Sequence, residues 1–216
     1  MMIYNLFPTG VGGFELGRDL SEIEKIHMFN LDQQSNEGNA KSANPWVLED
    51  KKLSSLRSFL NNSLQEYFHA TISPQDDLKL EITQSWVNYT TPGQYHHKHS
   101  HQNSIISGVF YIQAIKEIDR LHFFSDTYRQ IRVIPKETHV YNSDSWWLPV
   151  TTGTLLLFPS NLVHMVLPTN GASNWESGGD KINSDTSQKD VRISLSFNSF
   201  YKGKLGSDEM LTSLTI

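Results

Sequence analysis

After residue 77 the chain changes texture, and that change limits the folds open to it. Leu78, Leu80 and Ile82 alternate with polar residues, and the run continues through Trp86 to Tyr89. Alternation at period two is the signature of a strand with one buried face. Further strand patterns fall at residues 105–113, 121–124, 131–134, 138–141, 154–158, 163–167 and 191–200. Turn chemistry separates them at Pro92-Gly93, Asn142-Ser143-Asp144 and Thr152-Gly153. Upstream, Leu53, Leu56, Phe59, Leu60, Leu64, Tyr67 and Phe68 recur at helical spacing, which predicts an amphipathic helix over residues 50–69. Ser21 with Glu24 has the pattern of a capping box and opens a shorter helix reaching Phe29. Many short strands after a helical start predict a mainly β protein with N-terminal helices, a sandwich or barrel. The expected organisation is one domain over residues 1–216, with 1–76 as helical support and 77–216 as the β-barrel core. Residues 168–190, rich in Asn, Gly, Ser and Asp, read as a long loop of the kind that serves as a lid.

Four of the nine histidines lie in Tyr95-His96-His97-Lys98-His99-Ser100-His101, and a fifth, His164, closes Phe158-Pro159-Ser160-Asn161-Leu162-Val163-His164. Neutral imidazole is the commonest protein metal ligand and suits iron, copper, nickel and zinc. On a strand, the spacing of His99 and His101 puts both imidazoles on one face; His97 shares that parity, so a pairing of His97 with His99 stays open. The bland readings are a solvated histidine-rich loop and, for His164, a hydrogen-bonded core residue. Period two along Val191-Arg192-Ile193-Ser194-Leu195-Ser196-Phe197-Asn198 places Arg192, Ser194, Ser196 and Asn198 on one face. That face is either the wet side of a half-exposed strand or a polar wall where Arg192 binds a carboxylate with its planar fork.

Composition removes several classes. The chain has no Cys, which excludes thiolate zinc sites, iron–sulfur clusters and disulfides. A net charge of −5 gives no overall basic field for nucleic acid, although a local patch stays open. The opening residues form no charged-then-apolar leader and no apolar run approaches bilayer length, so a cytoplasmic protein without a membrane partner is expected. Five tryptophans invite a base-stacking reading. Adjacent Trp146-Trp147 is more simply one core residue and one surface anchor.

These motifs, in this order, resemble the Fe(II)/2-oxoglutarate-dependent dioxygenases. That superfamily is built on a double-stranded β-helix, a jelly-roll barrel. It takes two metal ligands from an early His-x-Asp, a third from a distal His, and a cosubstrate-binding Arg from a later strand. Here the order is His99-Ser100-His101, His164, Arg192. Asn88-Tyr89-Thr90-Thr91-Pro92-Gly93 is similar to the Asn-x-Tyr-x-Pro-Gly segment of the alkylated-nucleic-acid demethylases, whose Asn touches 2-oxoglutarate; Thr90 stands where a Tyr is expected. Arg192-x-Ser194-x-x-x-Asn198 is similar to their Arg-x-Asn-x-x-x-Arg without its last Arg. The whole set, with Trp86-Val87-Asn88 and Ser107-Gly108-Val109-Phe110-Tyr111, most resembles the short 2OG-Fe(II) oxygenases of phages and marine bacteria. The opening Asn5-Leu6-Phe7-Pro8-Thr9 also looks like theirs, so the likeness spans nearly the whole chain.

The resemblance implies Fe(II) held by His99, His101 and His164, and 2-oxoglutarate held by Arg192 with Asn88, Ser194, Ser196, Tyr111 and Asn198. It implies hydroxylation of an unidentified substrate, with succinate and carbon dioxide as co-products. Protein side chains, nucleobases and small metabolites are all substrates in that superfamily, and a phage-encoded member would work in the host cytoplasm. His101 departs from the superfamily pattern by replacing its carboxylate. That departure keeps a rival in play, a non-catalytic metal-binding jelly-roll barrel. Oligomeric state is not legible.

Overall fold

The computed structural model describes residues 1–75, 77–125, 131, 133–168 and 191–216. Its elements follow in the order β1 (Gly12–Glu15), α1 (Glu22–Phe29), β2 (Gln33–Ser35), β3 (Ala40–Ser42), α2 (Ser54–Ile72), β4 (Lys79–Thr90), β5 (His96–His99), β6 (Ile106–Gln113), β7 (Arg120–Phe124), β8 (Ser145–Pro149), β9 (Thr154–Pro159), β10 (His164–Val166), β11 (Arg192–Lys202), β12 (Lys204–Leu205) and β13 (Leu214–Thr215). Seven strands form one sheet in the order β1-β9-β6-β11-β4-β3-β2, and four form a second in the order β5-β10-β7-β8. All strand pairings within both sheets are antiparallel. This is the expected mainly β jelly-roll architecture.

The central strands β6, β9 and β11 of the large sheet are buried on both faces, and strand periodicity sorts their side chains. Phe110, Ile112, Leu155, Leu157, Ile193, Leu195 and Phe197 join a core with α2 residues Leu56, Leu60, Leu64, Tyr67 and Phe68. Their sequence neighbours Val109, Tyr111, Leu156 and Phe158 point the other way and pack with Leu121, Phe123, Val150 and Val166. That second cluster draws on both sheets and fills the barrel interior. The helix therefore braces the outside of the large sheet, as its apolar spacing predicts. α1 opens on the expected capping box, with Ser21 Oγ accepting from Glu24 N and the Glu24 carboxylate accepting from Ser21 N.

Several expectations change. Residues 1–76 are not helical support alone, because β1 pairs with β9 and β3 pairs with β4. The long helix starts at Ser54 rather than residue 50, since the Asp50 side chain accepts from Lys52 N and turns Lys51–Leu53 into a 3-10 turn. Residues 138–141 form no strand: His139 N donates to Asn142 Oδ1 and Asn142 N donates to His139 O, so turn chemistry prevails. Ile131, Val133 and Ile134 are not in a strand either, and Arg132 lies outside the described residues. The strand in that region is β8, with Trp146 and Trp147 both near 40 % exposed, so neither is the core residue expected of that pair. The loop expected over 168–190 lies, past residue 168, outside the described residues.

Candidate metal centre and adjoining pocket

His99 and His164 sit directly opposite one another on β5 and β10. Cross-strand pairing holds their rings 4.4 Å apart between centroids. The register slips between β5 and β10, so Val166 opposes His96 while His164 opposes His99. The extra residue in β5 reverses the parity beyond it, as a bulge does. His96 and His99, three residues apart, consequently both line the cleft, and their rings stack at 4.6 Å.

His101 arrives by a different route from the one its spacing predicts. β5 ends at His99, and His101 lies beyond it. Its backbone N–H donates to Ser160 O at 2.8 Å. Ser160 in turn sits in a hydroxyl chain with Ser104 and Ser107, and Ser107 Oγ donates to Asn198 Oδ1. The turn is anchored from below, and His101 Nε2 comes to 3.3 Å from His164 Nε2. One ligand nitrogen from each of His99, His101 and His164 lies within 4.8 Å of the others. His96, His97 and His99 form a second group by the same measure. His97 is not among the residues lining the cleft and faces Glu37 at 3.8 Å.

The imidazoles are set up to offer lone pairs. His99 Nδ1 lies 2.7 Å from His97 O and His164 Nδ1 lies 2.9 Å from Leu162 O. A carbonyl only accepts, so each Nδ1 carries the proton and each Nε2 is left as a free acceptor. Burial lowers the pKa of His96 and His164 to about 3 and of His101 to about 4, and lowers that of His99 as well. The group is therefore neutral near pH 7, the form that binds a metal ion. Three neutral nitrogens turned toward one point, two of them 3.3 Å apart, fit a single borderline cation such as Fe(II).

Beyond the histidines the cleft is lined by Trp86, Asn88, Val109, Tyr111, Leu121, Met165, Val166, Ser194 and Ser196. β11 lies between β4 and β6, so Ser194 is flanked by Asn88 on one side and Tyr111 on the other. Arg192 is the next residue on the same face, 5 % exposed. It is not free: Nη1 contacts Asp119 Oδ1 at 3.2 Å, between side chains 4 % and 6 % exposed. Burial lowers the Arg192 pKa from its ordinary value, and Asp119 opposes that shift. Desolvation raises the Tyr111 pKa, keeping the phenol protonated.

Three buried polar atoms on this wall have no hydrogen-bond partner among the described residues: Asn88 Oδ1, Tyr111 Oη and Arg192 Nη2. Orphaned buried polar atoms are uncommon and call for a reason. Asn88 and Tyr111 line the cleft, and Arg192 lies one step further along the same face of β11. A dicarboxylate reaching from the histidines to Arg192 would engage the two donors, Tyr111 Oη and Arg192 Nη2. Of the expected cosubstrate residues, Asn88, Tyr111, Ser194 and Ser196 line the cleft, Arg192 lies buried beyond them on the same face of β11, and Asn198 sits in the hydroxyl chain beneath His101. His96, Trp86 and Asp119 are the additions. The bulge that turns His96 inward has no sequence signature, and Asp119 reaches Arg192 across 73 residues of chain.

Comparison with known proteins bears on the fold that carries this site. Residues 84–177 match the model of the family described as "Putative 2OG-Fe(II) oxygenase". Among solved structures, a 2OG-Fe(II) oxygenase family oxidoreductase from Burkholderia pseudomallei aligns with TM-score 0.55 and 9% identity, over 88% of this chain and 84% of that one. HygX from Streptomyces hygroscopicus, solved with nickel, 2-oxoglutarate and hygromycin B, aligns with TM-score 0.54 and 11% identity over 88% and 82%. A Pseudomonas putida prolyl-4-hydroxylase aligns with TM-score 0.51 and 12% identity over 88% and 92%. At these identities the likeness is one of fold. No curated protein matches the chain in sequence.

Proposed function

We propose that this chain is a 2OG-Fe(II) oxygenase that hydroxylates a substrate using Fe(II) and 2-oxoglutarate, a reading supported by its family match and its fold. In this reading residues 1–216 act as one oxygenase domain. His99, His101 and His164 hold the metal through their Nε2 atoms. When bound, Fe(II) with 2-oxoglutarate supplies dioxygen activation coupled to decarboxylation of the cosubstrate to succinate. The protein's part is binding, orientation and exclusion of water. Ser194 and Ser196 offer hydroxyls along the cosubstrate's path, and Asn88 Nδ2 donates to Ser196 Oγ at 3.0 Å, fixing both side chains. Tyr111 and Arg192 receive the distal carboxylate. Val109, Leu121 and Val166 keep the wall apolar, which strengthens each polar contact in the pocket.

The observation that carries this reading is three convergent imidazoles beside three buried polar atoms that have no partner among the described residues. The solved neighbours include one bound to hygromycin B and a prolyl-4-hydroxylase, and the candidate substrate classes here are protein side chains, nucleobases and small metabolites. Among the described residues no helix is long and apolar enough to cross a membrane.

The rival is a closed metal-binding barrel. It draws on the all-histidine ligand group found among the described residues and on the contact already made between Arg192 and Asp119. Anaerobic addition of Fe(II) and then 2-oxoglutarate separates the two. Chelation of the keto acid to an accessible iron gives a visible charge-transfer band, absent with either component alone. A protein that binds Fe(II) tightly yet gives no band with 2-oxoglutarate belongs to the rival class.

A further inference from the structure

The charges in the pocket are arranged in an unusual way. All three residues of the group are histidines, so the ligand set carries no negative charge. The common arrangement for non-haem Fe(II) oxygenases is two histidines and a carboxylate. Further along the same face of β11, past Ser194, Arg192 meets a buried carboxylate, Asp119.

Asp119 is held there on every side. Its Oδ2 accepts from Ile115 N at 2.7 Å, its own N–H donates to Ile115 O, and its carbonyl accepts from Val150 N. Its Oδ1 takes only Nη1 of the guanidinium, leaving Nη2 buried and without a partner among the described residues. A guanidinium fork usually pairs with a carboxylate through two parallel bonds. Here half of the fork is used and half is left over.

We propose that Asp119 is the positioning residue of the cosubstrate pocket, supplying at the Arg192 end the negative charge that the all-histidine metal site lacks. The proposal rests on the oxygenase reading above. The positive charge of Arg192 and the negative charge of Asp119 cancel, leaving the two positive charges of Fe(II) to meet the two negative charges of 2-oxoglutarate. The total is the same as with a carboxylate ligand and an unpaired arginine, but the distribution is shifted toward the metal. The keto-acid end is therefore held more strongly, and the tail end less strongly, than where the arginine stands alone. A pocket built this way should discriminate weakly between a keto acid with a charged tail and one with an apolar tail. Asp119 also fixes where Nη2 points, so the tail that does bind has one defined place.

The test is calorimetric and needs no turnover. 2-Oxoglutarate and 2-oxopentanoate share the chelating end and chain length, and differ in having a carboxylate or a methyl at the tail. Each is titrated anaerobically into the Fe(II)-loaded full chain. The wild type should prefer 2-oxoglutarate by no more than about tenfold, below the range that an unshared buried charge pair commands. Asp119→Asn should raise that preference by roughly tenfold or more, while 2-oxopentanoate affinity moves less than about threefold. A purely structural role would weaken both keto acids alike and leave the preference unchanged; that result overturns the proposal. A wild-type preference above about a hundredfold overturns it too, and needs no folded variant. A wild type that binds neither keto acid defeats the oxygenase reading itself, which separates the two failures.

Discussion

Removing the Arg192 guanidinium tests how the pocket wall is held together, independently of any ligand. In the folded protein Arg192 and Asp119 are 4 % and 6 % exposed at their side chains, and Nη1 is the cationic partner of Asp119 Oδ1. Arg192→Met keeps much of the apolar stem and deletes the charge. Asp119 is then left buried, with Oδ2 still accepting from Ile115 N and Oδ1 stranded. Breaking a buried pair from one side typically costs about 3–5 kcal/mol, because the remaining charge is uncompensated. The surviving amide contact places this case near the lower end, about 3–4 kcal/mol. For a chain of this size each kcal/mol moves Tm by about 2–4 °C, so the loss should be roughly 6–16 °C. Replacing both charges should be milder, since an apolar or neutral pair carries no stranded ion. Arg192→Met/Asp119→Asn should therefore recover at least about half of the lost stability, a coupling well beyond ordinary additivity. Urea unfolding followed by tryptophan fluorescence, with the slope checked for constancy, measures all four corners of the cycle. Equal stability of Arg192→Met and wild type, or a double variant that falls by the sum of the singles, would refute the reasoning.

Other perturbations have equally definite outcomes. His99→Ala and His164→Ala should each nearly abolish Fe(II) binding, because two imidazoles chelate poorly, whereas His97→Ala should leave it within about threefold; equilibrium dialysis of Fe(II) decides, and strong loss in His97→Ala would favour the His96/His97/His99 group instead. Gly108→Ala should destabilise by about 1–3 kcal/mol, since a Cβ there would come within 2.3 Å of Phe197 Cζ and 2.9 Å of Leu157 Cδ2, both in the packed core; an unchanged thermal midpoint would contradict that packing. The metal-free protein should weaken in mild acid. His96 and His164 are held to about 3 and His101 to about 4, against 6.5 ordinarily. The unfolded chain therefore binds more protons below 6.5, and stability is full above that pH and is lost as pH falls toward 4 and then 3. A urea midpoint series should show this slope, and His164→Phe should flatten it; parallel curves would show that the slope comes from other groups.

Much of the site was legible because it follows strand periodicity. Arg192, Ser194 and Ser196 share a face of β11 simply because they are two apart, and Ile193, Leu195 and Phe197 fill the core on the other face. Asn88 and Tyr111 join them because their strands flank β11 in register. Period two fails where a strand stops or slips. His101 lies past the end of β5 and is carried toward His164 by the turn at Ser160, not by strand parity. Asn198 has the right parity but falls at the register shift between Asn198 and Ser199, and its side chain serves the hydroxyl chain. The strands before residue 76 were not legible either. Gly12-Gly13 and Gln33-Gln34 have little strand propensity, and their conformation is imposed by pairing with β9 and β3.

Asp119 marks the limit of reading a chain locally. It lies in Lys116-Glu117-Ile118-Asp119-Arg120, a charged run whose neighbours suggest a solvated turn. Its burial depends on β7 and β8 closing over it and on Arg192 arriving from 73 residues away. The histidine cluster, by contrast, announces itself because its donors are chemically conspicuous. The two ends of the pocket are nevertheless one electrostatic system. A metal site without a carboxylate invites a search for the missing negative charge, and within the described residues that charge sits on the arginine expected to bind the cosubstrate. Exchange of charge between ligand and arginine is thus a coupled pair of changes. His101 and Asp119 should be altered together in any attempt to convert this centre to a two-histidine, one-carboxylate site.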